Sequence, residues 1–457
     1  MRVSGGQVLA YTAAICSTCS SLVGAITLDL SSDDSIKTAA SEVAYDMMKY
    51  YTGNNTGDVP GNLPDPYYWW EAGAMFGIMV DYWYYTKDST YNAEVKQALL
   101  HQAGDDYDFM PANQTKTEGN DDQGFWGMAV MTAAEANFDN PDSGTPGWLA
   151  MAQAVFNDYA SRWDNSTCGG GLRWQIFTFN SGYDYKNSIA NGCFFNLGAR
   201  LAVYTGNSSY ADWAEKIFNW EQSIGLIGDG YEVYDGSSDT DNCSSIDHIQ
   251  WTYNAGIYLF GAAMMYNYTN GSSKWEARTA GLLNASSVFF KDNVMYEAAC
   301  ETTTSGCDTD QRSFKAHLSR WMAATTKVAP FTESTIMTYI NASAKAAAEQ
   351  CDGGSSGRTC GEHWTAGSTY DGKYGVGEQM SALSVIQATL IGTAPNLLTN
   401  DTGGTSVGNA AGGSGSSTSK DGTVVTPVTS GDRVGAGVMT AVMVAGLLGG
   451  VAFMIIG

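Results

Sequence analysis

The chain has 457 residues, a formal net charge of -24 and a pI near 4.3, so a nucleic-acid partner is excluded: its few Lys and Arg are scattered and form no basic patch. Aromatic residues make up 12%, with 13 Trp and 26 Tyr. Rings beside acidic groups suit a sugar-binding cleft, although large helical cores use them too.

The first residues read as a secretion signal. Arg2 supplies positive charge, an apolar run extends from Val8 to Val23, and Val23-Gly24-Ala25 offers the small residues a signal peptidase needs. The expected domains are a signal peptide over 1–25, a core domain over 26–393, a Gly/Ser/Thr-rich stalk over 394–433 and a hydrophobic tail over 434–457. The tail carries no charge and no Lys or Arg follows it, so small residues, spacer and apolar run together read as a GPI-attachment signal. A single-pass membrane helix is the alternative. Glycosylation sequons at Asn54, Asn113, Asn165, Asn207, Asn242, Asn267, Asn270, Asn284, Asn341 and Asn400 agree with a secretory route to the cell surface, plasma membrane or wall.

Between the ends, apolar spacing predicts helices over 34–51, 67–86, 91–104, 122–138, 147–162, 187–205, 209–225, 250–268, 273–290, 310–327, 331–348 and 376–392. Strand-type alternation is confined to Trp174–Phe179 and Tyr231–Tyr234. Six helical pairs joined by alternately long and short links predict an all-α (α/α)6 toroid, its long loops forming an open cleft on one face. Cys300 with Cys307 and Cys351 with Cys360 read as short disulfide loops. Cys168, Cys193 and Cys243 remain, so at least one thiol stays free. No CxxC pair is present and the histidines are far apart, which gives metal catalysis no support.

Cleaving a glycosidic bond takes two carboxyl groups. The best candidates are Asp121 and Asp122, in Gly119-Asn120-Asp121-Asp122-Gln123-Gly124-Phe125-Trp126-Gly127, at the start of a predicted helix. Neighbours there point about 100° apart, so both can face a cleft, and their repulsion would keep a proton on one. Aspartates also cap helices, which is all that Asp33-Asp34 suggests. Gly353-Gly354-Ser355-Ser356-Gly357 fits a serine-hydrolase elbow but lies in a disulfide loop with no strand before it.

The segment from Asn120 to Gly127 resembles the catalytic stretch of glycoside hydrolase family 76, the α-1,6-mannanases. Six more stretches resemble the family in order: Tyr67–Gly73, Cys168–Trp174, Tyr185–Gly192, Trp251–Gly256, Asp310–Lys315 and Tyr374–Gln379. The closer similarity is to a fungal GPI-anchored branch that serves cell-wall biogenesis. The resemblance implies an (α/α)6 fold and a retaining mechanism, with Asp121 as nucleophile and Asp122 as general acid/base, and no metal or organic cofactor. It implies an α-mannose-containing substrate, mannan or a GPI glycan, with β-glucan as a potential acceptor. Among the matched residues, Trp70, Trp126, Trp174 and Tyr253 are candidates to stack on sugar or to fill core. Glu71, Asn187 and Asn254 are candidates for sugar hydroxyls, and Arg173 for substrate. Lys186, Arg312 and Lys315 are candidates for a glycan phosphate or for plain ion pairs. A non-catalytic glycan-binding wall protein on the same scaffold is the competing reading.

Overall fold

The computed structural model describes residues 26–114 and 116–413. The expected signal peptide and the hydrophobic tail lie outside the described residues. Twelve helices follow in chain order: α1 (Asp33–Met48), α2 (Trp69–Thr86), α3 (Asn92–Gln102), α4 (Asn120–Glu135), α5 (Trp148–Arg162), α6 (Ser188–Thr205), α7 (Ser208–Ile224), α8 (Thr252–Tyr268), α9 (Ser273–Ala285), α10 (Phe314–Val328), α11 (Glu333–Glu349) and α12 (Val376–Ala388). None of them is long and apolar enough to cross a membrane.

The even-numbered helices close a ring in which each packs on the next and α12 packs on α2; the odd-numbered ones lie outside it. Their sequences decide this arrangement. The inner helices α2, α6 and α8 are buried on nearly every side and so are apolar all round, whereas α7 or α11 bury one stripe. Inner helices approach closely where a glycine permits it. A Cβ on Gly73 would stand 2.8 Å from the Trp126 ring, so α2 meets α4 there only because the side chain is absent. Trp126 in turn stacks on Phe109 at 5.7 Å. Two buried ion pairs tie inner helices together, Arg200 with Glu135 at 2.7 Å and Arg320 with Asp81 at 2.7 Å.

The (α/α)6 architecture and all twelve helices match the expectation, with ends shifted by a few residues. Asp310–Ser313 is a tight turn before α10 and not helix proper. The strand expectations are corrected. Trp174–Phe179 makes only one bridge, Gln175 to Gly119, and in Tyr231–Tyr234 only Val233 pairs, with Ile227. The strands present are shorter: β1 (Tyr185–Asn187), β2 (Gly236–Ser238) and β3 (Ile246–Asp247) form one antiparallel sheet, and β4 (Phe290–Lys291) pairs with β5 (Val294–Met295). Two or three residues are too few for a period of two to show.

Disulfides join Cys300 to Cys307, Cys351 to Cys360 and Cys168 to Cys243, leaving Cys193 as a buried thiol. The stretch from Ala394 to Gly413, expected to open the stalk, is instead held against the domain. Leu398 N–H donates to Glu135 O at 2.9 Å and Asn400 N–H to Tyr204 O at 3.0 Å, across the end where the inner helices finish. Ser406 Oγ accepts from Leu149 N–H at 2.9 Å in the first turn of α5, and Asn157 reaches the Gly412 carbonyl at 2.8 Å. Small residues let this strap lie flat on the helices, a packing that composition does not reveal.

Candidate active site

The inner helices run parallel, so their N-termini meet at one end. A cavity of about 540 Å³ opens there. Trp69 and Trp70 from α2, Asp121, Asp122 and Phe125 from α4, Tyr253 from α8 and Phe314 from α10 line it. Tyr185 and Asn187 of β1 and the loop residues Tyr68, Gln114, Thr117, Glu118, Trp174, Gln175, Asp235 and Asp310 complete the wall.

The start of α4 is sewn to the loop beside it. Asn120 N–H donates to Trp174 O at 2.8 Å, and its side-chain amide donates to Arg173 O at 2.9 Å. Arg162 donates to Asn120 Oδ1 at 2.9 Å and to Gln123 Oε1 at 2.6 Å, while Tyr159 OH bonds Asn120 O. These bonds fix the backbone from which both carboxyls project. Asp121 Oδ2 accepts from the Trp174 indole N–H at 2.9 Å, and its Oδ1 accepts from Asp122 N–H at 3.1 Å. Asp122 Oδ2 accepts from Gly119 N–H at 2.6 Å, so it does cap the helix. Its other oxygen is free.

The point where a Cβ on Gly119 would sit is inside contact distance of Asp121 Oδ1 and 3.3 Å from Asp122 Oδ2, which keeps these oxygens within about 6 Å of each other. That bound lies below the roughly 6.5–9.5 Å that an inverting enzyme needs for a water and admits the roughly 5–5.5 Å of retaining glycosidases. Burial, and then the charge of Asp122, pushes Asp121 well above the ordinary carboxyl range. Burial also pushes Asp122 up to about 7. Two carboxyls this close share a proton, so the pair combines an acid with a base. Asp310 is raised to about 6, by burial first and then by Asp308.

Of the residues singled out from sequence, Asp121, Asp122, Trp70, Trp174, Asn187 and Tyr253 reach the cavity. The others do not line it. Trp126 is core, fully buried against Gly73. Asn254 is fully buried within α8. Glu71 is buried and accepts Tyr68 N–H at 2.7 Å, capping α2. Arg173 pairs with Asp164 at 2.8 Å and with Asp239. Lys186 is fully buried, donating to the carbonyls of Asp164, Thr167 and Gly170. Lys315 is buried against Glu301 at 2.5 Å and the Glu362 carbonyl. Arg312 lies in a neighbouring cavity and leans on Glu378 at 3.4 Å. The phosphate expectation for these three cations is therefore corrected: the plain ion-pair alternative holds, because a buried cation in an acidic chain finds a carboxylate or carbonyl.

Sequence reasoning missed Tyr68, Glu118, Gln175, Tyr185, Asp235, Asp310 and Phe314 as wall residues. Tyr68, Tyr185, Asp310 and Phe314 stood inside stretches already noted, so chain position carried a signal. Asp235 and Glu118 carried none, since only the fold brings their loops to the cleft.

The sequence model for glycosyl hydrolase family 76 matches residues 35–401. The chain is 52% identical over 423 residues to the mannan endo-1,6-alpha-mannosidase DCW1 of Saccharomyces cerevisiae, covering 92% of this chain and 93% of that one. It is 49% identical over 434 residues to the mannan endo-1,6-alpha-mannosidase DFG5 of the same yeast, covering 94% of both. Among solved structures, Dfg5 from Chaetomium thermophilum in complex with glucosamine superposes with a TM-score of 0.81 at 46% identity, over 83% of this chain and 96% of that one. An inactive variant of an α-1,6-mannanase from Salegentibacter sp. HEL1_6, with two consecutive aspartates replaced by asparagine and α-1,6-mannotriose bound, shares the fold at a TM-score of 0.62 and 17% identity, over 78% and 99% of the two chains.

Proposed function

The chain belongs to glycosyl hydrolase family 76 and is a glycoside hydrolase, and from that premise we propose that it cleaves α-1,6-mannosidic linkages with retention through Asp121 and Asp122. The observation that carries this reading is the pair itself: two carboxyls on consecutive residues, within about 6 Å, at the rigid start of an inner helix that opens into an aromatic-walled cavity. The roles follow from hydrogen bonding. Asp121 receives an N–H on each oxygen, which favours its anion and so the nucleophile; Asp122 keeps one oxygen free to carry a proton.

In the first step Asp122 gives its proton to the glycosidic oxygen as that bond breaks, and Asp121 forms a bond to the anomeric carbon. In the second, Asp122 takes a proton from an acceptor hydroxyl, which displaces Asp121. Water as acceptor gives hydrolysis, and a β-glucan hydroxyl gives transfer of the glycan. The names of the yeast relatives support mannan as substrate; a GPI core glycan is a second donor of the same linkage class. The terminal segments support secretion and a GPI anchor at the cell surface, where transfer to wall glucan would occur.

The test incubates the purified protein with α-1,6-mannan oligosaccharides, with and without a β-glucan oligosaccharide, and follows products by mass spectrometry. Shortened mannan of α-configuration, or a mixed glycan, is expected. No cleavage and no exchange would leave only the glycan-binding reading.

A further inference from the structure

The loop that brings Trp174 to the cavity has a second face. Trp174 and Gln175 line the catalytic cavity, whereas Ile176 and Tyr183 line a neighbouring one of about 350 Å³, so the loop stands as a wall between the two. Its base is closed by Trp174 N–H donating to Tyr185 O at 2.7 Å, and its tip by Asn180 N–H donating to Phe177 O at 3.0 Å. Gly182, at a φ of 90°, folds the returning chain back so that the Trp174 indole occupies the place of its Cβ. The tip is thereby tied to the ring that meets Asp121.

The tip itself is apolar and uncovered. Phe179 is 67% exposed, Phe177 is half-buried, and the two rings stack at 5.5 Å with 17° between their planes. A single exposed ring means little, but a stacked pair at the edge of a cavity marks a surface kept for a partner.

The composition of the loop selects that partner. It reads Trp174-Gln175-Ile176-Phe177-Thr178-Phe179-Asn180-Ser181-Gly182-Tyr183, without a charged residue, in a chain whose net charge is -24. A segment that lies on a lipid surface combines its rings with Lys or Arg, and this loop has neither. Rings interleaved with amides and hydroxyls suit a neutral glycan, whose ring faces are apolar and whose edges carry hydroxyls. Size agrees. The catalytic cavity, at about 540 Å³, lies within the roughly 300–1,000 Å³ that a drug-sized ligand fills, so a polymer overruns it and leaves over an edge.

We propose that the Phe177–Phe179 tip is a docking surface for the distal residues of an α-1,6-mannan chain whose reacting bond lies in the cavity, and that it sets a preference for long glycans. The proposal rests on the cavity being the glycan site and adds where the chain runs beyond it.

Calorimetric titration tests it in an Asp121→Asn background, which binds glycan without turning it over, using α-1,6-mannotriose and an α-1,6-manno-oligosaccharide of about ten residues. The long glycan should bind about tenfold more tightly than the triose, the worth of covering roughly one ring face. Adding Phe179→Ser, alone or with Phe177→Ser, should reduce that ratio to the small statistical gain a longer chain has from its extra binding registers. The melting temperature of the Phe179→Ser protein should hold, because the ring it removes is exposed. Equal affinity for the two glycans overturns the proposal, as does a ratio that survives both substitutions in a folded protein. Sedimentation decides between occupants. A dimer that Phe179→Ser dissociates, or co-sedimentation with phosphatidylcholine vesicles that Phe179→Ser abolishes, gives the tip to a second copy or to lipid and overturns the glycan assignment. Cleavage of α-1,6-mannotriose by the unsubstituted protein reports on the cleavage reading alone, so the two failures are told apart.

Discussion

Replacing Trp174 with Phe isolates one hydrogen bond of the active site. The indole N–H donates to Asp121 Oδ2 at 2.9 Å, and Phe keeps an aromatic ring over Gly182, whose Cβ position the indole occupies. A hydrogen bond to a charged group contributes about 1.5–3 kcal/mol. Trp174 is 36% exposed, so water competes for the same oxygen and the lower part of that range applies, about 1.5–2 kcal/mol. At 1.36 kcal/mol per decade this corresponds to about 10- to 30-fold in kcat/KM on an α-1,6-mannoside. The pH profile adds a second readout. Losing a donor to the ionised form raises the pKa of Asp121 further, so the acid limb of kcat/KM should move to higher pH. The assay measures kcat/KM from pH 4 to 8 for both proteins, with melting temperatures as a control for folding. An unchanged rate and an unmoved acid limb in a folded Trp174→Phe protein would falsify the assignment of Asp121 as the anion that attacks.

Asp121→Asn and Asp122→Asn should both fold and both lose about 10²-fold or more in activity, with Asp122→Asn partly active on an aryl mannoside whose leaving group needs no proton; full activity in either removes that residue from the mechanism. Thermal stability should fall as pH rises, because burial raises Glu71 and Glu118 to about 9 and Glu221 and Glu297 to about 8. Groups raised above their unfolded values favour the fold while protonated, so calorimetry should show the melting temperature dropping between about pH 4.3 and 8–9, less steeply in Glu297→Gln. Ser406→Ala removes a cap that the strap supplies to α5 and should cost about 1 kcal/mol by chemical denaturation; no loss would mean that the strap does not stabilise α5.

The helices were legible because inner helices such as α2, α6 and α8 are apolar all round and outer ones such as α7 and α11 carry a stripe, and both patterns survive in a bare sequence. The catalytic candidates were legible because Asp121 and Asp122 sit in the first turn of an inner helix, where neighbouring side chains diverge into the cleft. Five residues further on, Trp126 looked equally suited to a sugar, yet that position faces Gly73 of the next helix. The cations misled for a related reason. Lys186 and Lys315 are rare charges in an acidic chain, but sequence does not tell which carboxylate or carbonyl will meet them. The strap over 394–413 was hidden by its composition, since what holds it is its own backbone, Ser406 and side chains on or next to the helices such as Asn137, Gln153 and Asn157.

One physical feature joins the fold to the charge of its site. The first turns of α2, α4, α8 and α10 line the cavity, joined by Asn187 just before α6, and each helix start carries a partial positive charge from its unpaired N–H groups. Carboxyls at that end are stabilised by the helix dipoles, even with no cationic side chain among the described wall residues. A parallel ring of helices can therefore hold Asp121, Asp122 and Asp310 together where a wall of loops alone would have to separate them. The same ring explains why Glu71 and Asp122 accept backbone N–H groups at the starts of α2 and α4. In Asp122 capping and catalysis coincide: one oxygen holds the helix start while the other faces the cavity, which fixes the proton donor to a backbone that Asn120, Arg162 and Tyr159 keep from moving.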